Sequence, residues 1–493
     1  MRRKLFIALT ICLFIVQAGW PQTPAESYSD SPVLPDGVKG ERIKALIDTL
    51  NSGDPEQIRQ FLNKNCTERF RNFAPMDGHI EVFQGFLQET GGVDFSGIRT
   101  YVPERKGQTA VILKDRNFDG WRALILRFGD APEYLIGGAG FTTASPPAGL
   151  KEPPLTEEQL IAETRAFMDK LVAKGMFSGT LLVAKGDKVL LTMAAGEASR
   201  AFHVPINIDT KFNLGSMNKM FTSTAVVRLA EKGKLSLDDP ISKYIDETWL
   251  PKEVTDKITV RQLLTHSSGL GSYFNDAYDK SSRALFRKLD DYKPLIKDDR
   301  PSFEPGKRFQ YSNTGMFLLG VIIEKATGED YFEHIRKVIY EPAGMTNSDC
   351  YEMDYPVENL AIGYSPDPKS LYGWQNNLYK HVIKGGPAGG GFSTVKDLHR
   401  FVLALLGGKY VSKESLKEMW TDHLGANYGF GFRVATEAAG KVVGHGGGFP
   451  GINSNLDIYL DSGYIVAVMS NTDRGASPVA AKIGGFLGRV KAK

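Results

Sequence analysis

Apolar residues first recur at helical spacing at Ile43, Leu46, Ile47 and Leu50, a run closed by Ser52-Gly53. Asp54-Pro55 then predicts an N-cap followed by proline in the first helical position, with Ile58, Phe61 and Leu62 as the apolar face of a second helix. A third helix is expected from Asp77 through Ile80, Phe83 and Leu87 to Gly91-Gly92. Strand-like runs follow at 97–102, 109–113, 121–128 and 134–136. Three helices and then a strand meander predict a small α+β domain over 38–143. The polar, Pro- and Gly-punctuated stretch 26–38 reads as a flexible lead-in to it.

Residues 144–155 (ASPPAGLKEPPL) carry four prolines and predict a linker. Directly after it, Thr156-Glu-Glu-Gln159 has the form of a capping box, opening a helix with Ile161, Phe167 and Leu171 on one face. A large domain is therefore expected over 156–490, and no repeat with a period of about 20–50 residues is visible in it.

The chain's beginning has a different pattern. Arg2, Arg3 and Lys4 precede the apolar run 5–16, which is shorter than the roughly 18–20 residues that cross a bilayer. This is the pattern of a secretory signal over 1–25, with cleavage after Ala18 or Ala25. The alternative, a retained anchor, fits that length less well. A periplasmic or secreted protein with no stable membrane span in the mature chain is expected. Cys12 lies within the apolar run, and Cys66 and Cys350 fall in different expected domains, which argues for buried thiols rather than a disulfide.

Composition narrows the function classes. A 42% hydrophobic and 24% charged chain of 493 residues is globular and long enough for two or three domains. The net charge of +3 is too small to suggest nucleic acid as a partner. Removing Arg2, Arg3 and Lys4 from the 60 basic residues leaves 57 against 57 acidic ones, so the slight basicity belongs to the export segment. No CxxC or Cys/His cluster points to structural zinc.

There is no G-x-S-x-G, H-E-x-x-H or P-loop. S-x-x-K occurs twice, as Ser216-Met-Asn-Lys219 and Ser393-Thr-Val-Lys396. On a helix this spacing sets the amine one turn beyond the hydroxyl on the same face. Ser216 opens a long apolar helix, whereas Ser393 reads as an ordinary helix cap. Y-x-N also occurs twice, as Tyr273-Phe-Asn275 in a Ser/Gly/Asp-rich loop and as Tyr311-Ser-Asn313 before an apolar helix that would hold it rigidly. A phenol with its usual pKa near 10 needs a neighbouring cation to become a base, and Lys219 is the candidate. Among Lys384-Gly-Gly386, His423-Leu-Gly425 and His445-Gly-Gly447, only the last is embedded in strand-like sequence, where glycine permits close backbone approach to a substrate oxygen.

The order S-x-x-K, Y-x-N, glycine strand resembles the serine β-lactamase and penicillin-binding-protein superfamily, specifically the class C-like, β-lactamase-related serine hydrolases. Phe177-Ser-Gly-Thr-Leu-Leu-Val183, Thr210-Lys-Phe-Asn-Leu-Gly-Ser-Met-Asn-Lys219, Gly233-Lys-Leu-Ser-Leu-Asp-Asp239, Ile258-Thr-Val-Arg-Gln-Leu-Leu-Thr-His-Ser-Ser-Gly269 and Ala388-Gly-Gly-Gly-Phe-Ser-Thr394 all look like family segments. The resemblance covers about 160–490. It implies an antiparallel sheet flanked by helices plus an all-helical lobe. It further implies Ser216 as acylated nucleophile, Lys219 and Tyr311 as proton-transfer groups, and Asn313 as hydrogen-bond partner of Lys219 and substrate. His445 and Gly447 would support the substrate, and the backbone N–H groups of Ser216 and Gly448 would form the oxyanion hole. This two-step chemistry calls for no metal or cofactor.

His266 and Ser267-Ser268 also match family positions and read as structural. His445 departs from the lysine of many β-lactamases; an ordinary imidazole, with a pKa near 6.5, is mostly neutral at pH 7. That favours an ester, amide or D-amino-acid peptide over a β-lactam. The alternatives are a D-Ala-D-Ala carboxypeptidase or true β-lactamase, and a binding or sensor protein on the same fold. The N-terminal domain is similar in element order to an NTF2-like (SnoaL-like) cone, without an acid/base set among His79, Glu81 and Asp119. The partner expected is a small-molecule or peptide substrate, and the sequence leaves the oligomeric state open.

Overall fold

The computed structural model describes residues 27–150, 152–367 and 369–491. Residues 1–25, where the export signal is expected, and Cys12 lie outside the described residues. The chain divides into two compact units between Pro153 and Pro154.

In the first unit an initial strand, Ser27–Ser31, is followed by helices Val38–Ser52, Pro55–Asn65, Glu68–Arg71 and Met76–Thr90. Asp54 caps the second by accepting from Gln57 N–H at 2.8 Å, and Gly53 and Gly91 end the first and last in the left-handed conformation. Ile43, Leu46, Ile58, Phe61, Phe83 and Phe86 pack with Val111, Leu113, Leu124 and Leu126 from the sheet. That sheet is antiparallel, in the order Ser27–Ser31, Val93–Val102, Thr109–Asp115, Trp121–Phe128, Ile136–Thr143.

Besides the extra short helix Glu68–Arg71 and an earlier start to the strand Val93–Val102, three details differ from the sequence reading. Ser27–Ser31, read as flexible, is an edge strand running from Ser27 opposite Val102 to Ser31 opposite Ile98. Ladder hydrogen bonds use the backbone, so a polar strand with no apolar alternation is held as well as any other. The last strand spans Ile136–Thr143, whose glycines hid it, and its extent is set by the partner Trp121–Phe128. Within 144–155, the Ser145 and Pro146 carbonyls accept from Arg99 and Ala148 N–H donates to Asp30, so this part of the expected linker is pinned to the first unit.

The second unit is built on a six-stranded antiparallel sheet in the order Arg433–Glu437, Gly440–Phe449, Ile452–Tyr459, Tyr464–Ser470, Gly179–Lys185, Lys188–Ala195. Its N-terminal and C-terminal strands thus meet in the middle. Tyr464–Ser470 is buried along its whole length, which requires cover on both faces. Ile465, Ala467 and Met469 join the core that holds Val226, Leu398 and Phe401 from helices Asn218–Glu231 and Val395–Leu406. The period of two turns Val466 and Val468 to the other face, which helices Glu157–Ala173 and Ser477–Leu487 cover, with Phe167 and Phe486 edge-on at 6.4 Å. Thr156 and Gln159 form a reciprocal capping box at the start of the first of these.

Between the two halves of the sheet the chain forms a helical lobe whose centre, Asn313–Thr327, is apolar almost all round and packs on Asn218–Glu231 and Val260–Leu264. Among the described residues no helix is long and apolar enough to cross a membrane. Cys66 and Cys350 are free and buried.

Candidate active site

Ser216 lies on a one-turn 3-10 segment, Gly215–Met217, that runs straight into helix Asn218–Glu231. The turn is held from two sides. Asn213 accepts from Gly215 N–H at 2.8 Å, Leu214 N–H donates to Gly391 O at 2.7 Å and Gly390 N–H donates to Gly215 O at 3.2 Å. On the sheet side Ser454 donates to Leu214 O at 2.7 Å. Gly215 has a φ of +51°, and a Cβ there would stand 2.8 Å from Gly448 N. A Cβ on Gly447 would fall on the Leu214 carbonyl oxygen. Both glycines are required for strand Gly440–Phe449 to lie against the Ser216 turn. The structure thereby brings Gly447 and Gly448 beside Ser216, with Gly448 exposed.

The three-residue spacing puts Lys219 on the Ser216 face of the helix, with Nζ 3.0 Å from Ser216 Oγ. The amine also donates to the Ala388 carbonyl at 2.5 Å. Lys219 is wholly buried and among the described residues has no carboxylate in ion-pair distance, and that burial pulls its pKa down from its usual alkaline value to about 7. It is a neutral amine for much of its population at neutral pH.

Tyr311 precedes Ser312, the N-cap of helix Asn313–Thr327; Ser312 accepts from Gly315 N–H and donates to Gly271 O, both at 2.8 Å. The Ser216 side chain is close enough to the Tyr311 hydroxyl to influence its ionisation, and Lys219 Nζ lies 4.9 Å from the ring centroid. Tyr311 as a residue keeps 39% of its surface exposed. Burial pushes the phenol well above its usual pKa, with only the neighbouring Ser216 side chain opposing. This corrects the expectation that Lys219 acidifies it: a half-neutral lysine offers too little charge to offset desolvation.

Asn313 also differs. Its amide donates to Ser272 Oγ at 3.2 Å, while the partners of Lys219 among the described residues are Ser216 and Ala388. The bond from Ser312 to Gly271 seats the helix start on the 271–272 loop, and Asn313 follows it there.

His445 points to the same face of its strand as Gly447 and is buried. Its Nδ1 lies against the Gly446 carbonyl, which can only accept, so Nδ1 carries the hydrogen and Nε2 accepts from the Tyr428 hydroxyl at 3.0 Å. Burial, then the nearby charge of Lys219, lowers its pKa to about 3, so His445 is neutral throughout the physiological range, unlike the ordinary imidazole assumed from sequence. Tyr428 was missed in the sequence: it stands in Asn-Tyr-Gly-Phe-Gly with no motif spacing to mark it.

The rival motifs fall apart. Ser393 is fully buried against Ser348, Lys396 pairs with Asp209, and the cap of helix Val395–Leu406 is Thr394, one residue beyond the expected Ser393. Tyr273 is buried in an aromatic cluster and Asn275 caps Asp276–Lys280. Lys384 pairs with Glu352, and His423 stacks on Phe430.

Residues 162–484 match the family model described as Beta-lactamase. The chain belongs to the beta-lactamase family of serine hydrolases. The match lies within the second unit. A penicillin-binding protein of Bacillus subtilis (strain 168) is 31% identical over 331 residues, 63% of this chain and 71% of that protein. A penicillin-binding protein from Bacillus halodurans superposes with a TM-score of 0.60 at 30% identity, covering 65% of this chain and 98% of the other. A D-stereospecific amidohydrolase from Streptomyces sp. gives 0.54 at 28% identity, covering 65% and 96%. This beta-lactamase-family chain shares its architecture with penicillin-binding proteins and amidohydrolases alike.

Proposed function

We propose that this serine hydrolase is exported and cleaves an ester or an amide, its substrate class including D-amino-acid peptides, through an acyl-enzyme on Ser216. The observation that carries the reading is Lys219: a buried amine with a pKa of about 7 set 3.0 Å from a hydroxyl held on a 3-10 turn. As Ser216 Oγ attacks the substrate carbonyl, its proton passes to neutral Lys219. The oxyanion is received by the N–H groups of Ser216 and Gly448. Tyr311, still a phenol, donates its proton to the leaving group and regains one from the Lys219 ammonium. Water then takes the place of the leaving group and the steps run in reverse to release the acid.

Neutral His445 supplies no fixed cation for a β-lactam carboxylate, and the likeness to a D-stereospecific amidohydrolase supports an amide substrate over a lactam. The helices-then-meander order of the first unit supports an NTF2-like accessory domain over 38–143, joined through 144–155 to the hydrolase domain 156–490. A basic, then apolar start supports a signal over 1–25.

The test is mass spectrometry of the chain after reaction with a fluorophosphonate. An adduct on Ser216, absent from Ser216→Ala, is expected; equal labelling of the two proteins rejects the reading. Comparing turnover of nitrocefin, a p-nitrophenyl ester and a D-amino-acid amide then sorts the substrate class, with fast nitrocefin hydrolysis alone favouring the β-lactamase alternative.

A further inference from the structure

Three further rings, His266, Tyr428 and His445, pack around Tyr311, and the proton path above does not use them. His266 and Tyr311 have ring centroids 4.3 Å apart and tilted by 37°, and His266 and Tyr428 are 4.8 Å apart. Tyr428 stands edge-on both to Tyr311, at 6.3 Å and 88°, and to His445, at 5.8 Å and 89°. His266 and Tyr428 come from distant parts of the chain: His266 follows helix Val260–Leu264 with a φ of +54°, and Tyr428 bridges to Arg433 at the edge of the sheet.

The hydrogen bonds fix each ring. His266 Nδ1 accepts from Ser312 N–H at 3.0 Å, so its hydrogen sits on Nε2, a buried donor with no partner among the described residues. Retaining an unpaired donor in the core is costly, and apolar residues of similar shape would avoid that cost. What His266 does provide is a flat face under Tyr311 and a tie to the residue that follows it. His445 has both nitrogens engaged, one by Gly446 and one by Tyr428, so it cannot turn an N–H toward the cleft. The other titratable or charged groups around it are Lys219, His266, Tyr311 and Arg433, the last paired with Asp457 and Glu437.

We propose that Tyr428 is a positioning residue of this active site: its hydroxyl locks His445 as the Nδ1–H tautomer, and its ring, together with that of His266, fixes the Tyr311 ring against Ser216. The inference rests on the reading of Ser216 and Tyr311 as the acylation machinery. Its contacts are with Tyr311 and His445, and it acts through them.

The test follows fluorophosphonate labelling of Ser216 in the full chain, separating the limiting rate from the half-saturating concentration. Wild type must label first; if it does not, the proposed function fails and this inference with it. With wild type labelling, Tyr428→Phe should lower the limiting rate roughly tenfold, leave half-saturation within about twofold and leave the thermal midpoint close to wild type. The loss should vanish when Tyr428→Phe is made in a His445→Leu background, because the hydroxyl then has nothing to lock. An unchanged limiting rate, or a loss that persists undiminished in that background, overturns the positioning role while leaving the hydrolase intact. If the variants do not fold, nitrogen-15 NMR of wild-type histidines decides. His445 protonated on Nδ1 alone at pH 6 is expected, and a cationic or Nε2–H His445 overturns the proposal.

Discussion

Lys219 Nζ sits 3.0 Å from Ser216 Oγ, and its other hydrogen bond, to the Ala388 carbonyl, fixes the direction from which the amine approaches. A carbonyl can orient an amine without holding it charged as strongly as a carboxylate would. This pairing therefore yields a base at neutral pH where an ion pair would have yielded a permanent cation.

The first prediction concerns pH. Acylation needs the neutral amine, so the rate of Ser216 labelling should rise with pH up to about 7 and level off above it. The acid limb should have a slope of one proton, because His445 stays neutral down to about 3 and contributes no second titration. Labelling rates between roughly pH 5 and pH 9 check this, and Lys219→Met should lose about 10²- to 10⁴-fold at the plateau.

The same lysine has a signature in stability. Its pKa is lower in the folded chain than in the unfolded one, so between about 7 and 10.5 the unfolded state binds more protons and wild-type stability rises with pH. Lys219→Met lacks this contribution. Wild type should therefore gain on the variant as pH climbs through that window, with a constant difference below it. Urea unfolding of both proteins across the window measures the change, and a flat difference would contradict the buried-amine assignment.

Adjacent glycines in the same strand should behave differently. Gly447→Ala sets a methyl on the Leu214 carbonyl and against Ser454 Oγ, so the Ser216 turn must move. Loss of labelling and about 2 kcal/mol or more of stability are expected, as for overpacking of a tight core. Gly448→Ala meets no atom within 4 Å, so it should fold like wild type and lose labelling only through crowding of the cleft. Thermal melts and labelling of the two variants side by side make the comparison.

In the first unit, Asp30 and Arg99 form a buried two-bond ion pair, with side chains 6% and 2% exposed. Burial opposes ionisation of Asp30, but the hydrogen bonds from Arg99 and Ala148 and the Arg99 charge outweigh it and lower the pKa. The stabilisation is present above the unfolded carboxyl's pKa and is lost as pH falls through the folded one. Arg99→Met should cost this unit about 3 kcal/mol at pH 7, since it strands a buried carboxylate, and less in acid. Denaturant unfolding monitored at pH 7 and in mild acid tests both parts.

What could be read from the residues was local. Asp54-Pro55, the Thr156/Gln159 box and the glycine helix ends are settled by neighbours within one turn of the chain. S-x-x-K was legible for the same reason: three residues on a helix set hydroxyl and amine on one face before any tertiary contact forms. Ser27–Ser31 was not legible, because its partner lies 75 residues away at Val102 and its own pattern is polar. Nor could spacing distinguish Ser393 from Thr394 as a cap, since both types suit that role and the backbone angles decide.

The sequence by itself determined the order of chemistry-bearing residues, the helix that joins Ser216 to Lys219 and the family to which they belong. Only the tertiary structure decided their electrical state. Burial brought Lys219 down to about 7 and raised the Tyr311 phenol, burial and the nearby Lys219 charge left His445 neutral, and the Gly446 carbonyl and Tyr428 hydroxyl chose its tautomer. Desolvation and partner choice depend on groups that the fold brings together from far along the chain, and no local pattern encodes them.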